Sequence, residues 1–441
     1  MLGLNRVDAR RPAFSTRLSH IGTLADRPAA AGESRITAET GDRMANRIPL
    51  LNAQLAFGLQ AERSGRRSTV TLMFRTPPAG LSTSDVQQVV QSLLLRTPAL
   101  SYRIRFSRGG AYQERHAAEC DFAELTVAGG EAVSAGVTEQ IEAFEVSLDG
   151  AAMAARLLRS PEADTLLLIF DHALVDEHSM VLIRRQLAAP STPDAGQHAR
   201  YQAAVHDRMA AEAAAAAGPG VAFWRERLDA AGEFPRLRPK PTRVVPIEKI
   251  PGVAIPRSFR GSLFPYVLFS IHRALRDVSQ PGPTVIGYPW GGRNPAYTDV
   301  VGCFMNTVIS LGAAGARQAP ADAAGFLRGW YGELDHADVP FSTVVGLRSA
   351  FSGAVTAQLS YQRATERTVV IAGVPAVETA PSRGRGPQGP VVLAGATVHD
   401  EELGLRLLID EQSAGYGAQA FGARWRHWLT TALSRSPERT S

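Results

Sequence analysis

The residues best suited to do chemistry lie in one stretch, "LLLIFDHALVDEHSM", where Asp171, His172, Asp176, Glu177 and His178 fall close together. An imidazole such as His172 can take a proton from an amine, hydroxyl or thiol near neutral pH. It can instead position a nucleophile and stabilise charge at a forming tetrahedral centre. A carboxylate four residues on, Asp176, can fold back on the loop or reach a distant arginine and so fix the loop's geometry. Asp171 can accept a backbone hydrogen bond or raise the basicity of a nearby imidazole. Glu177 can narrow a passage, bind a cationic acceptor or act as a second acid/base. His178 reads as a first-turn helix residue. HxxxD by itself occurs by chance in many proteins, so its surroundings must carry the argument.

Leu166–Phe170 is apolar throughout, as suits a strand covered on both faces, and it presents Asp171 and His172 at its end. "HSMVLIRRQLA" follows as a helix. Upstream, Ser68–Thr76 and Ser101–Phe106 alternate as strands, and "GAAMAARLLRS" supplies another. Ser82 or Ser84 can cap a helix whose Val86, Val89, Val90, Leu93 and Leu94 share one face. The order is strand–helix–strand–strand–helix, a mixed α/β (α+β) lobe. Ala189–Gly220 connects it onward through a turn-rich run and an Ala-rich helix ended by Gly218. Beyond it, "GSLFPYVLFSIHRALRDV", "AADAAGFLRGWYGELDHA" and "AQAFGARWRHWLTTALSR" read as helices. "PTVIGYPW", "VVGCFMNTVISLG", "AVTAQLSYQ" and "GLRLLIDEQ" read as strands. This second order loosely echoes the first, without a repeat at residue level. The expected division is an extension over 1–45, partly disordered, an N-terminal lobe over 46–190, a linker over 191–220 and a C-terminal lobe over 221–441.

Composition narrows the function classes. The 441 residues are 45% hydrophobic and 20% charged, enough to bury large cores. A net charge of +5 gives no broad nucleic-acid footprint. Cys120 and Cys303 belong to no CxxC or Cys/His cluster, so no metal is expected. Cys303 reads as a small buried apolar residue. The apolar runs are too short to span a bilayer, and no secretory leader is evident, so the expected compartment is the cytoplasm. "SRGRG", within an expected exposed loop over Pro381–Pro390, lacks the ending of a phosphate-binding loop. "ERSGRR" (Glu62–Arg67) reads as a solvated loop, with contact to a carrier or a phosphate as the alternative. Gln358 and Ser360 share one face of a strand and are candidates to line a passage.

The chemical stretch resembles the HHxxxDG motif of condensation domains from nonribosomal peptide synthetases, and the HxxxD motif of the wider chloramphenicol-acetyltransferase-like superfamily. Other segments are similar to the same family in the same order: "IPLLNAQ", "LLLRTPALSYRIRF", "FWRERL", "VIGYPWGGRNPAYTDVVGCFMNT" and "HADVPFSTVV". The resemblance runs from Ile48 to the C-terminus, and Val285–Thr307 is its most specific part.

The resemblance implies two acetyltransferase-like lobes in a V-shaped pseudodimer with a central tunnel. Acyl or peptidyl carrier proteins acting in trans would feed phosphopantetheine arms towards His172. An amine or hydroxyl acceptor, small or carrier-bound, would attack the donor thioester to give an amide or ester. No permanently bound cofactor is implied, and a separate monomeric protein is expected. His172 matches the family's second histidine. Asp176 matches its structural aspartate, implying an ion pair with Arg293 of the "GR" segment. Asn306 falls in the "NT" and is expected to bond backbone. Asp171 and Glu177 depart from the motif, replacing its first histidine and its glycine. They leave open a non-catalytic module that binds carriers or tailoring enzymes, and a cyclase or hydrolase using the same tunnel.

Overall fold

The computed structural model describes residues 33–38, 47–189, 194–234, 244–279, 282–312, 323–348, 351, 355–364, 368–385 and 392–434. Two mixed sheets organise the chain. The larger has seven strands in the order Glu33–Ala38, Ala118–Thr126, Met153–Arg159, Asp164–Asp171, Thr69–Thr76, Val374–Thr379 and Thr368–Ile371. The second has six, in the order Glu248–Ala254, Glu402–Ile409, Val392–Val398, Ala357–Arg363, Thr284–Trp290 and Asn306–Gly312.

The echo between the two halves is topological. In the first sheet Ala118–Thr126 runs parallel to Met153–Arg159, which pairs antiparallel with Asp164–Asp171, itself antiparallel to Thr69–Thr76. In the second, Ala357–Arg363 runs parallel to Val392–Val398, antiparallel in turn to Glu402–Ile409 and then to Glu248–Ala254. The same succession of pairings on chains without residue-level identity accords with two acetyltransferase-like halves. Each half buries its own core, one around Phe74, Leu93, Phe122, Leu166 and Phe170, the other around Trp224, Leu268, Val285, Trp330 and Trp425.

Local chemistry explains the elements next to the site. Ser82 accepts a hydrogen bond from the Asp85 amide at 3.0 Å, capping helix Thr83–Arg96. Pro98 lacks an amide hydrogen, and the chain passes into a short 3-10 turn over Pro98–Ser101. Leu166–Phe170 is fully buried, with strands on both sides and cores on both faces.

Several expectations are revised. Between Ser107 and Gly150 the chain holds strands Gly110–Arg115 and Ala118–Thr126 and helix Glu131–Val146, which the alternation argument passed over. Tyr102–Ser107 leaves the main sheet for a small one with Gly110–Arg115 and Arg47–Pro49. Within the extension, Glu33–Ala38 forms an edge strand on Ala118–Thr126, while 1–32 and 39–45 lie outside the described residues. The hairpin Thr368–Ile371 and Val374–Thr379 comes from the later half yet pairs with Thr69–Thr76 of the first sheet. The expected loop over Pro381–Pro390 includes a strand, Arg383–Arg385, paired with Val244–Pro246; its remainder from 386 lies outside the described residues.

Helix Gln197–Ala217, in the expected linker, is more than a connector. Tyr201, Ala204 and Val205 pack into the first core. Its buried Arg208 pairs with Glu212 at 3.1 Å and donates to the Gly292 carbonyl at 2.8 Å. Glu212 in turn accepts from the Asn52 amide at 3.0 Å. The helix thereby ties the start of helix Asn52–Ser64 to the loop that carries Arg293.

Candidate functional site

His172 leaves strand Asp164–Asp171 at its carboxyl end. Its amide donates to Ser68 O at 2.9 Å, and its Nδ1 lies 2.9 Å from Val175 O. A carbonyl oxygen can only accept, so Nδ1 carries the proton and Nε2 of the neutral ring keeps its lone pair. Phe57, on helix Asn52–Ser64, stacks on the ring at a centroid distance of 4.4 Å. Glu177 brings Oε1 to 3.7 Å from Nε2. His172 and Glu177 both line a cavity of about 530 Å3 whose walls come from both sheets.

Asp176 caps helix Glu177–Ala188 by accepting from the Ser179 amide at 2.9 Å. Arg293 donates to both its oxygens, at 2.7 and 2.8 Å, and the Phe304 amide adds a bond at 3.0 Å. The pair implied by the resemblance is thus present, buried on both sides. Burial by itself would raise the Asp176 carboxyl. The charge and hydrogen bonds of Arg293, with the two amides, outweigh it and hold the carboxyl below its usual range. Arg293 also donates to Ser179 Oγ at 2.9 Å and Gly302 O at 3.0 Å, so the second half is bolted to the loop holding His172.

Asp171 is set differently. It accepts from the Ala173 amide at 3.0 Å and meets Arg67 at 3.5 Å. Burial pushes its carboxyl up, and Arg67 offsets this only in part. Arg67 was expected in a solvated loop; it is instead buried, its guanidinium over the Phe144 ring at 4.2 Å and bonded to Ala151 O at 2.9 Å. The cause is burial of the chain just before strand Thr69–Thr76, where the apolar ring gives the guanidinium a stacking surface.

Gln358 and Ser360 both line the cavity from the second sheet, on the face opposite the buried Leu359. Asn306 stands apart from His172: its Nδ2 donates to Ala337 O and Val339 O at 2.8 Å, and its Oδ1 accepts from the Phe341 amide at 3.1 Å. It anchors the turn before helix Phe341–Gly346. His178 reaches Thr298 O at 2.7 Å. Burial pushes the Cys303 thiol well above its ordinary value, which leaves it inert as a nucleophile. Among the described residues no group of three potential ligands could hold a metal, and no helix is long and apolar enough to cross a membrane.

Sequence reasoning missed Phe57 and Arg406, and misread Arg67. Phe57 carried no signal beyond its place just after the "IPLLNAQ" segment. Arg406 shows only as a charge inside the apolar run "GLRLLI", at an alternate position that shares a face with Leu408.

No family model matches this sequence, and no curated protein matches it significantly. Solved structures do. The starter condensation domain of rhizomide synthetase, in a mutant form bound to C8-CoA and Leu-SNAC, superposes with a TM-score of 0.67 at 14% identity, covering 91% of this chain and 99% of that one. The X-domain from teicoplanin biosynthesis gives 0.66 at 15% identity over 91% and 97%. The epimerization domain from the third module of tyrocidine synthetase B gives 0.61 at 14% over 88% and 97%. At these identities the likeness speaks to architecture, and on that the observations converge: the chain has the fold of the nonribosomal peptide synthetase condensation domains.

Proposed function

We propose that the cavity beside His172 is an acyl-transfer site, in which an amine or hydroxyl attacks an acyl thioester presented on a phosphopantetheine arm. The acceptor's nitrogen or oxygen bonds to the thioester carbon as its proton passes to Nε2 of His172. The carbon–sulfur bond then breaks, and the departing thiolate takes that proton to leave as a thiol. The observation that carries this reading is the Nδ1–Val175 hydrogen bond, which fixes the tautomer with Nε2 free. The starter condensation domain solved with an acyl-CoA and an aminoacyl thioester supports the same class of substrates. Carrier proteins acting in trans are the proposed partners, and His172 the proposed base.

Incubation with acyl-loaded carrier and candidate amines, followed by mass spectrometry of the pantetheine arm, tests it. His172→Ala is expected to lower the rate by about 100-fold or more, with Cys303→Ala close to wild type. Unchanged turnover in folded His172→Ala protein would overturn the proposal.

One observation favours a second reading. The Glu177 carboxylate stands 3.7 Å from Nε2, where an acceptor must approach. In that reading the domain binds without transferring, in the manner suggested by the teicoplanin X-domain solved with OxyB. Glu177→Gly decides between them: activity that appears only in the variant supports a blocked site, and activity lost in it supports Glu177 as a participant.

A further inference from the structure

The second sheet meets the cavity through two rows of side chains set by strand register. Gln358 pairs with Leu393, and Leu393 with Leu408; Ser360 pairs with Gly395, and Gly395 with Arg406. Paired residues share a face, and all six line the cavity. The second row holds an unusual juxtaposition. Gly395 has no side chain, and Arg406 lies across the space left there: a Cβ at 395 would stand 2.4 Å from Arg406 Nε and 2.5 Å from its Cγ. Lys249, one of two lysines in the chain, pairs with Arg406 on the opposite side and is exposed. Its like charge favours the guanidinium lying towards Gly395.

Three of the other four cations of the wall are paired, and the fourth faces solvent. Arg66 pairs with Glu145, Arg67 with Asp171, and Arg385 with Glu142 and Glu145; Arg383 is exposed. Among the described residues no hydrogen bond or ion pair engages Arg406. Five arginines face three glutamates around the cavity, so its potential favours anions. Partial burial lowers the Arg406 guanidinium, with no carboxylate to offset it.

We infer that Arg406, held flat by Gly395, is the contact for an anionic group, carboxylate or phosphate, on the molecule that occupies this cavity. The inference rests on the transfer reading for what that molecule is; the Arg406 geometry stands apart from His172. A carboxylate would belong to the acyl or acceptor portion, a phosphate to the pantetheine arm.

Calorimetric titration of the full chain with S-succinyl-pantetheine, its methyl ester and S-succinyl-4′-phosphopantetheine methyl ester separates the two sources. Wild type is expected to prefer at least one charged probe over the neutral ester by roughly tenfold or more, the scale of a charge-assisted bond. A preference for the first charged probe identifies a carboxylate contact, and for the last a phosphate contact. Arg406→Gln is expected to abolish that preference while still binding the neutral ester. Gly395→Ala, which keeps the arginine but displaces it, is expected to weaken it too. Equal binding of all three probes by wild type, or a preference that survives in Arg406→Gln, overturns the inference. Transfer through His172 with no charge preference removes the anion contact alone. A charge preference through Arg406, with turnover indifferent to His172→Ala, keeps the contact and removes the proposed chemistry.

Discussion

Two aspartates flank His172, and each meets a buried arginine supplied from far along the chain, yet the two pairs are built differently. Asp176 takes two bonds from Arg293 at 2.7 and 2.8 Å and two from backbone amides. Asp171 takes one amide bond and a single 3.5 Å approach from Arg67, whose Nε and Nη2 find no hydrogen-bond partner among the described residues. The first carboxyl is held below its ordinary value, and the second is pushed above it. Proximity to a guanidinium therefore does not set a carboxylate's state; the number and geometry of donors, weighed against lost water, do. The well-bonded pair locks the loop to the second half, and the other holds its carboxylate by fewer and longer contacts.

Breaking the tighter pair gives the largest expected effect. Arg293→Ala strands a buried carboxylate and should lower the unfolding free energy by about 3–5 kcal/mol, read by urea denaturation. A loss no larger than that of a surface arginine would break the comparison. Asp171→Asn should cost about 1 kcal/mol or less, because the amide removes a desolvated charge while keeping the shape.

The pH dependence should differ in sign. Asp176, depressed in the fold, contributes stability that is fully present above its ordinary value of about 3.9 and is lost as pH falls through its lower folded value. Asp171, raised in the fold, opposes folding as pH rises from about 3.9 to its folded value, and that penalty is relieved by acid. Denaturation between pH 3 and 7 should thus show Asp176→Asn flattening the acid-side loss of stability and Asp171→Asn steepening it. Shifts of the same sign in both variants would show that the two sites are not electrostatically distinct.

The smallest expected effect is at Phe57. Phe57→Ala removes a stacked ring worth about 0.5–1.5 kcal/mol, so His172-dependent turnover should fall by no more than roughly tenfold. A larger fall would make Phe57 a part of the substrate contact.

The loop carrying His172 was legible in the sequence because a wholly apolar strand, a polar turn and a helix after it are all encoded locally; that Asp176 caps that helix emerged only in the structure. The strand bearing Gln358 and Ser360 was legible by alternation. Arg67 was misread because its six-residue context is polar, while the ring that covers it, Phe144, lies in a helix that alternation did not detect. The edge strand Glu33–Ala38 and the hairpin joining the first sheet from Thr368–Thr379 were likewise invisible, since a strand's partner is chosen by packing and not by its own residues.

By itself the sequence determined the local devices: a histidine at a strand end, a helix after it, and apolar faces with the period of strand or helix. The tertiary structure alone decided which distant groups meet. It set Phe57 against the imidazole, Arg67 beneath Asp171 and Arg406 across Gly395. The reason is physical: residue spacing encodes the direction of a side chain along one element, but register and packing between elements decide what that side chain touches.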